Sequence, residues 1–221
     1  MMGIWSTSIQ RSVGVAHSTY STGNLAGTTG VIGVIGALII LCAASIASAT
    51  PVDSDYFYAS TVSEQEDELQ LHALLLNVDA NHTDKAVIFI AQGNFNNAIA
   101  ELDYTLVRFP NNPRALTLLG AVAKLTHRST LPIAYYERAL SLYPQYALTH
   151  AQYGEYLSQI GRVDEAIAQL KTAIEMDRTL VVAYVWLSEA YSKTGRRELA
   201  QQAAEQARQL GYQPRRKVTS P

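Results

Sequence analysis

The chain has 221 residues, 48% of them hydrophobic, and 17 Lys and Arg stand against 19 Asp and Glu for a formal charge of -2. This composition excludes a largely disordered polymer, and the lack of a cationic surplus argues against general affinity for nucleic-acid phosphates. The single cysteine, Cys42, can form no intramolecular disulfide, and no CxxC pair or Cys and His cluster offers a structural zinc site, so stability must come from packing.

Residues 1–30 form a polar leader crowded with Ser, Thr and Gly, and the first fifty residues hold no Asp, Glu or Lys and one Arg, Arg11. From Val31 to Ala49 every side chain is apolar or small, with the core VIGVIGALIIL; these 19 residues approach the ~20 that cross a bilayer as helix. The segment is predicted to enter a membrane, and two fates are open. Ala47 and Ala49 flank Ser48 in the A-x-A pattern of signal-peptide cleavage, which would leave Thr50 first. The stretch before it is long for a signal peptide and weakly positive, as in a retained transmembrane anchor. Either fate puts the body from Pro51 onward outside the cytoplasm, periplasmic or exported, and held at the inner membrane if residues 31–49 are retained. Cys42 follows LIIL, but Leu41 occupies the place where a lipidation box needs a small residue. Gly30 at the edge of the apolar span and Gly33 and Gly36 inside it lack the preceding strand of a nucleotide-binding loop.

Residues 50–62 are a linker. Ser63 and Glu66 then spell a capping box for a helix over 63–78, whose Leu69, Ala73 and Leu76 make a stripe suited to cover the next element of the chain. A repeat begins there: units starting at Asp79, Pro113, Ala147 and Val181 are separated by three equal steps of 34 residues. The eighth place of each unit holds Ala86, Gly120, Gly154 and Ser188, the twentieth Ala98, Pro132, Ala166 and Ala200, and the twenty-seventh Thr105, Ala139, Ala173 and Ala207. Small side chains at these places let two helices approach closely, and larger ones between them, such as Leu119, Tyr153 and Leu187, fill the remaining space. Gly93, Gly161 and Gly195 at the fifteenth place end the first helix of a unit, and His127 replaces that glycine in the second. Pro110 and Pro144 close their units. Pro132 falls in a first turn, where it costs no hydrogen bond, with Thr130 as the expected cap. Gln201, Gln202, Glu205, Gln206 and Gln209 give the final helix a polar outer side, and a basic tail, residues 212–221 with Arg215, Arg216 and Lys217, comes after Gly211.

These units, above all Ala147 to Leu180 with its run GRVDEAIAQLKTAIEMD, and NPRALTLLG followed by YYERALSLYP, resemble the tetratricopeptide repeat family, in an exported or membrane-anchored bacterial form. The resemblance covers 79–112, 113–146, 147–180 and 181–211. It implies an all-α, right-handed superhelical solenoid of antiparallel helix pairs that binds a peptide or helix in a concave groove lined by the first helix of each unit. In the family, places two, five, nine and twelve face that groove. The residues this assigns to partner binding are Arg114, Lys124, Leu148, Glu155, Ser158, Val182, Val185 and Glu189, with Trp186 as a neighbouring apolar contact. Members that clamp chaperone tails carry Lys, Asn and Arg at places five and nine; this chain has Thr, Ala and Val at five and Val, Ala and Glu at nine, which argues against that role.

Local catalytic signatures are missing: there is no HExxH, GxSxG, Walker loop or EF-hand loop. His82 and His150 share the fourth place and read as packing residues. The acidic run Glu64, Glu66, Asp67 and Glu68 answers a helix dipole more naturally than it holds a cation. Asn81, His82 and Thr83 form a glycosylation sequon, which a bacterial envelope protein would ignore. The tyrosines after Tyr135 fall at repeat places and need no nucleic acid to explain them. The expectation is therefore a non-catalytic scaffold or adaptor of the cell envelope, without cofactor or metal, binding a protein or peptide partner and no nucleic acid. The alternatives are an assembly factor for pili, outer-membrane proteins or cytochrome c maturation, or an enzyme with dispersed site residues.

Overall fold

A computed structural model of the chain describes residues 53–60 and 66–213, all within one of its two compact units, residues 50–221. The leader, the segment 31–49, Ser63 and the basic residues of the tail lie outside the described residues. Among the described residues the only regular structure is helical. A single turn, α1 (Tyr56–Ala59), precedes α2 (Glu66–Val78), a π-helical turn (Asp79–Thr83) and α3 (Asp84–Ala91). Then come α4 (Phe95–Arg108), α5 (Pro113–Leu125), α6 (Leu131–Leu142), α7 (Ala147–Gln159), α8 (Val163–Met176), α9 (Val181–Lys193) and α10 (Arg197–Gln209). No helix among the described residues is long and apolar enough to cross a membrane.

Helix ends are set by local chemistry. Asn94 and Asn112 accept backbone N–H bonds at the starts of α4 and α5, and Pro113 sits at the start of α5, where its missing N–H costs nothing. Thr130 occupies the cap position of α6 but makes no side-chain capping bond, so first-turn placement alone makes Pro132 tolerable. At the turn inside each unit the backbone is left-handed: Gly93 at φ +71°, Gly161 at +88°, Gly195 at +71°, and His127 at +56° despite its side chain.

Packing within a unit depends on the eighth and twentieth places. A Cβ on Gly154 would lie 2.9 Å from the carbonyl oxygen of Ala166 and 2.7 Å from Leu170 Cγ, so α7 and α8 meet backbone to side chain with no room between them. Ser188, in the same place one unit on, instead donates its hydroxyl to the equivalent carbonyl, Ala200, at 2.8 Å. A Cβ on Gly120 would meet only the Tyr156 ring of the next unit, at 3.1 Å. Around these contacts one core gathers Leu102, Leu106, Leu116, Leu119, Tyr136 and Tyr156, and a second gathers Ala151, Leu170, Ala173, Leu187 and Ala203. The Tyr136 ring stacks on both Tyr153 and Tyr156, and the Tyr156 hydroxyl donates to the Ser129 carbonyl at 2.7 Å.

Two features at the N-terminal end depart from the sequence reading. Helix α2 does not stop before the first unit. Val78 and Thr83 both keep right-handed helical dihedrals, so α2, the π turn and α3 are one continuous helix from Glu66 to Ala91. No Pro or Gly interrupts it, and the Thr83 hydroxyl, donating to Asp79 Oδ1 at 2.9 Å, ties the π turn together. The expected covering stripe is the second departure: Leu69 and Leu76 are 47% and 57% exposed and Ala73 is exposed too, while Leu75 and Val78 are buried with Ala59 and Phe109. Helix α2 is apolar on two sides, and α1 and Phe109 claim the other side.

The stretch before α2 carries specific contacts. Asp53 and Ser54 donate backbone N–H groups to the carbonyls of Val107 (3.0 Å) and Arg108 (2.6 Å) at the end of α4. Asn111, fully buried, accepts from the Tyr56 N–H and donates to Asp55 Oδ1, both at 2.8 Å. Arg138 pairs with Asp53, the Tyr143 hydroxyl donates to the Asp53 carbonyl, and Tyr146 donates to Asp55 while its ring stacks on Phe57. Burial first, and then the bond to Asp55, push the Tyr146 phenol up to about 12, which keeps it a donor.

Two substitutions test this packing. Gly154→Ala should destabilise by ~1–3 kcal/mol in urea unfolding, because a carbonyl fixed in a helix cannot yield; Gly120→Ala should cost less, because the Tyr156 ring can. Equal losses would contradict the difference between the two crossings. His127→Gly should stabilise by ~0.5–1 kcal/mol, the roughly 1–2 kcal/mol left-handed penalty of a side chain less the entropy that glycine adds to the unfolded chain. A melting temperature below that of the parent would contradict it.

Candidate functional site

The first helices of the units, α3, α5, α7 and α9, stand side by side, and a polar clamp joins each to the next. Arg114 on α5 pairs with Asp84 on α3 at 2.7 Å. Gln152 on α7 donates to the Pro113 carbonyl and to Thr117 Oγ1 on α5, both at 3.0 Å. Lys193 on α9 donates its ammonium to the carbonyl and hydroxyl of Ser158 on α7, at 2.8 and 2.9 Å. Two of the residues assigned to the groove from sequence, Arg114 and Ser158, are thereby engaged in holding units together, and Ser158 is buried.

Other assigned residues do meet. Glu155 on α7 lies within electrostatic reach of Lys124 on α5 and of Glu189 and Lys193 on α9, and the Gln159 amide donates to its carboxylate. Burial raises the Glu155 pKa and the Glu189 charge adds to that; the Gln159 bond and the two lysines pull against the rise without cancelling it. The charged form of Glu155 is therefore disfavoured, chiefly by burial. Val185 and Glu189 line a cavity of about 220 Å³ with Ala204, Arg208 and Tyr212. Val182 is 38% exposed, Leu148 is half-buried, and Trp186 packs on the second core. Thr83 and Ala151, at the fifth place of their units, are fully buried and present nothing to a ligand.

Lys193 escaped the sequence reading. Its signal was its position four residues after Glu189 on the same helix, which puts both on one side of α9. The histidines at the fourth place have internal partners: His82 Nδ1 lies 2.6 Å from Glu101 and His150 Nδ1 lies 2.7 Å from Gln169, each on the second helix of its own unit. His72 Nδ1 lies 2.8 Å from the Ala59 carbonyl. Among the described residues no group of three or more His, Cys, Asp or Glu is placed to hold a metal ion.

Two sequence models of the tetratricopeptide repeat match the chain, one over residues 83–147 and the other over residues 148–180 and again 181–210. No curated protein matches. Among solved structures, the crystal structure of MamA is similar at 22% identity, over 65% of this chain and 86% of that one, with a TM-score of 0.46. The crystal structure of YrrB, described as a TPR protein with an unusual peptide-binding site, is similar at 21% identity, over 66% of this chain and 77% of that one, also with a TM-score of 0.46. Such arrays are in general protein-interaction scaffolds. The matched repeats are contiguous, account for more than half of the residues and keep the spacing of the helix pairs, and the chain belongs to the tetratricopeptide repeat family.

Proposed function

We propose that this protein is a non-catalytic scaffold of the cell envelope that receives a basic segment of a partner protein on the row of first helices, with Glu155 and Glu189 as its charged contacts. The observation that carries the reading is the meeting of half-buried Glu155 with Glu189 of the adjacent first helix, beside exposed Val182. A half-buried carboxylate that two nearby lysines fail to compensate gains most from one more cation, and a Lys or Arg of a bound segment supplies it. Val182, Val185 and Trp186 offer apolar surface beside the carboxylates, so a segment with a basic residue next to apolar ones suits this part of the row. Placement in the envelope is supported by the apolar run from Val31 to Ala49, which either delivers the body across the membrane or keeps it there.

Affinity capture with the full chain from detergent-solubilised membranes, followed by mass spectrometry, tests the scaffold reading; the expected result is one reproducible protein partner. With that partner in hand, the Glu155→Lys, Glu189→Lys double variant should bind at least about tenfold more weakly, about 1.4 kcal/mol, with unchanged helical content. Unchanged affinity would remove this surface from consideration.

The same carboxylate sets a pH dependence. A bound cation lowers the Glu155 pKa, so affinity is complete above the raised value of the free protein and declines as pH falls through it. The decline should begin at a higher pH than an ordinary glutamate would give, and Glu155→Gln should abolish this first phase. Titration calorimetry between neutral and mildly acid pH measures it, and an affinity that rises on acidification would contradict it.

A further inference from the structure

The continuous helix from Glu66 to Ala91 buries one side against α1, α4 and Phe109 and leaves an apolar stripe on the other. Leu69, Ala73, Leu76 and Ala80 are all exposed and succeed one another at spacings of four, three and four, the seam of a helix that pairs with a second helix. Ile88, 54% exposed, follows Ala80 by eight positions, with Val87, 38% exposed, beside it. Two α-helical turns take only about 7.2 residues, and a π turn adds about one, so the turn at Asp79–Thr83 is what brings Ile88 into line with Leu69 and Leu76. Asp84 stands in the same stripe between Ala80 and Ile88. Its charge is answered by Arg114 at 2.7 Å, so covering the stripe strands no lone carboxylate.

We infer that this stripe is a self-association surface, on which a second copy of the chain lays the same helix antiparallel about a two-fold axis. The pattern is self-complementary in that orientation. Leu69 of one copy comes opposite Ile88 of the other, and Leu76 falls beside the small Ala80, so that large side chains meet small ones in the middle and two large ones close each end. Charge selects the direction. The helix begins with Glu66, Asp67 and Glu68, while Lys85, near its other end, has no ion-pair partner among the described residues. Antiparallel pairing turns the acidic start of each copy toward the half of its partner that carries Lys85; parallel pairing would set the two acidic starts side by side.

Size fixes the strength. A strip about 10 Å wide along the roughly 28 Å from Leu69 to Ile88 gives roughly 300 Å² per copy and 600 Å² for the pair, taking the dimensions of an α-helix. That is below the ~1,200 Å² at the low end of standard stable interfaces, so the dimer is weak and its population depends on concentration.

Sedimentation equilibrium of the full chain in detergent, over concentrations from about 1 to 200 µM, should show a monomer–dimer equilibrium with a dissociation constant in the micromolar range or weaker. Leu76→Glu, at an exposed site, should raise that constant at least tenfold while leaving the circular dichroism spectrum unchanged, and Leu69→Glu should do the same. On a Cys42→Ser background, a Leu69→Cys, Ile88→Cys variant should form disulfide-linked dimers under mild oxidation. Within one chain the two positions are about 28 Å apart along the helix, too far for a bridge, so every disulfide formed between them joins two copies. A chain that stays monomeric over the whole range overturns the inference. So does a dimer that Leu76→Glu leaves intact, which assigns association to another segment, and so does efficient crosslinking by Leu69→Cys alone, which makes the pairing parallel. A monomer that binds lipid vesicles through Leu76 gives the stripe to a membrane surface and overturns it as well.

Discussion

The approach of two helices inside one repeat, close enough that Gly154 has no space for a methyl group in front of the Ala166 carbonyl, is the constraint on which the rest of the array depends. With the first and second helices of a unit held this close, the next first helix has one place to pack, and the polar clamps from Asp84 to Arg114, from Pro113 to Gln152 and from Ser158 to Lys193 fall along a single line of first helices. Ser188 shows that the constraint is geometric rather than a requirement for glycine. Its hydroxyl satisfies the carbonyl of Ala200, the counterpart of the Ala166 carbonyl that Gly154 merely approaches, so the fourth unit closes on a hydrogen bond where the third closes on contact.

That constraint was readable in the sequence because it recurs. Small residues every 34 positions recur in all four units, a left-handed glycine at a fixed offset in three of them and a closing proline in two, and the repetition states each local requirement more than once. The N-terminal end had no such help. Helix α2 is apolar on two sides, so periodicity alone could not choose between Leu69 with Leu76 and Leu75 with Val78, and the burial of Phe109 decided it. The π turn joins two helices whose pattern slips by one residue, and a slip reads equally well as a boundary. The docking of Asp53 and Asp55 depends on Asn111, Arg138, Tyr143 and Tyr146, which lie 56 to 91 residues further along the chain, and no local pattern connects them.

The groove shows the same division between local and distributed information. Family register assigned Arg114 and Ser158 to the groove, and side-chain geometry shows both engaged with the neighbouring unit. It also shows that the electrostatic centre is Glu155, whose surroundings are drawn from α5, α7 and α9 together. A repeat therefore encodes where its side chains point, while what they are free to do depends on the unit beside them.

The contacts of Asp53 to Phe57 have a mechanical meaning. A tension applied to the chain upstream of Asp53 does not first peel α2 away from the end of the array. It is carried by two backbone hydrogen bonds to the end of α4, by the buried Asn111 amide, and by the Arg138, Tyr143 and Tyr146 side chains of the second unit and its boundary with the third. Force entering at one end of the sequence is thus delivered to the end of the first unit and to the second, and does not run through the helix from Glu66 to Ala91.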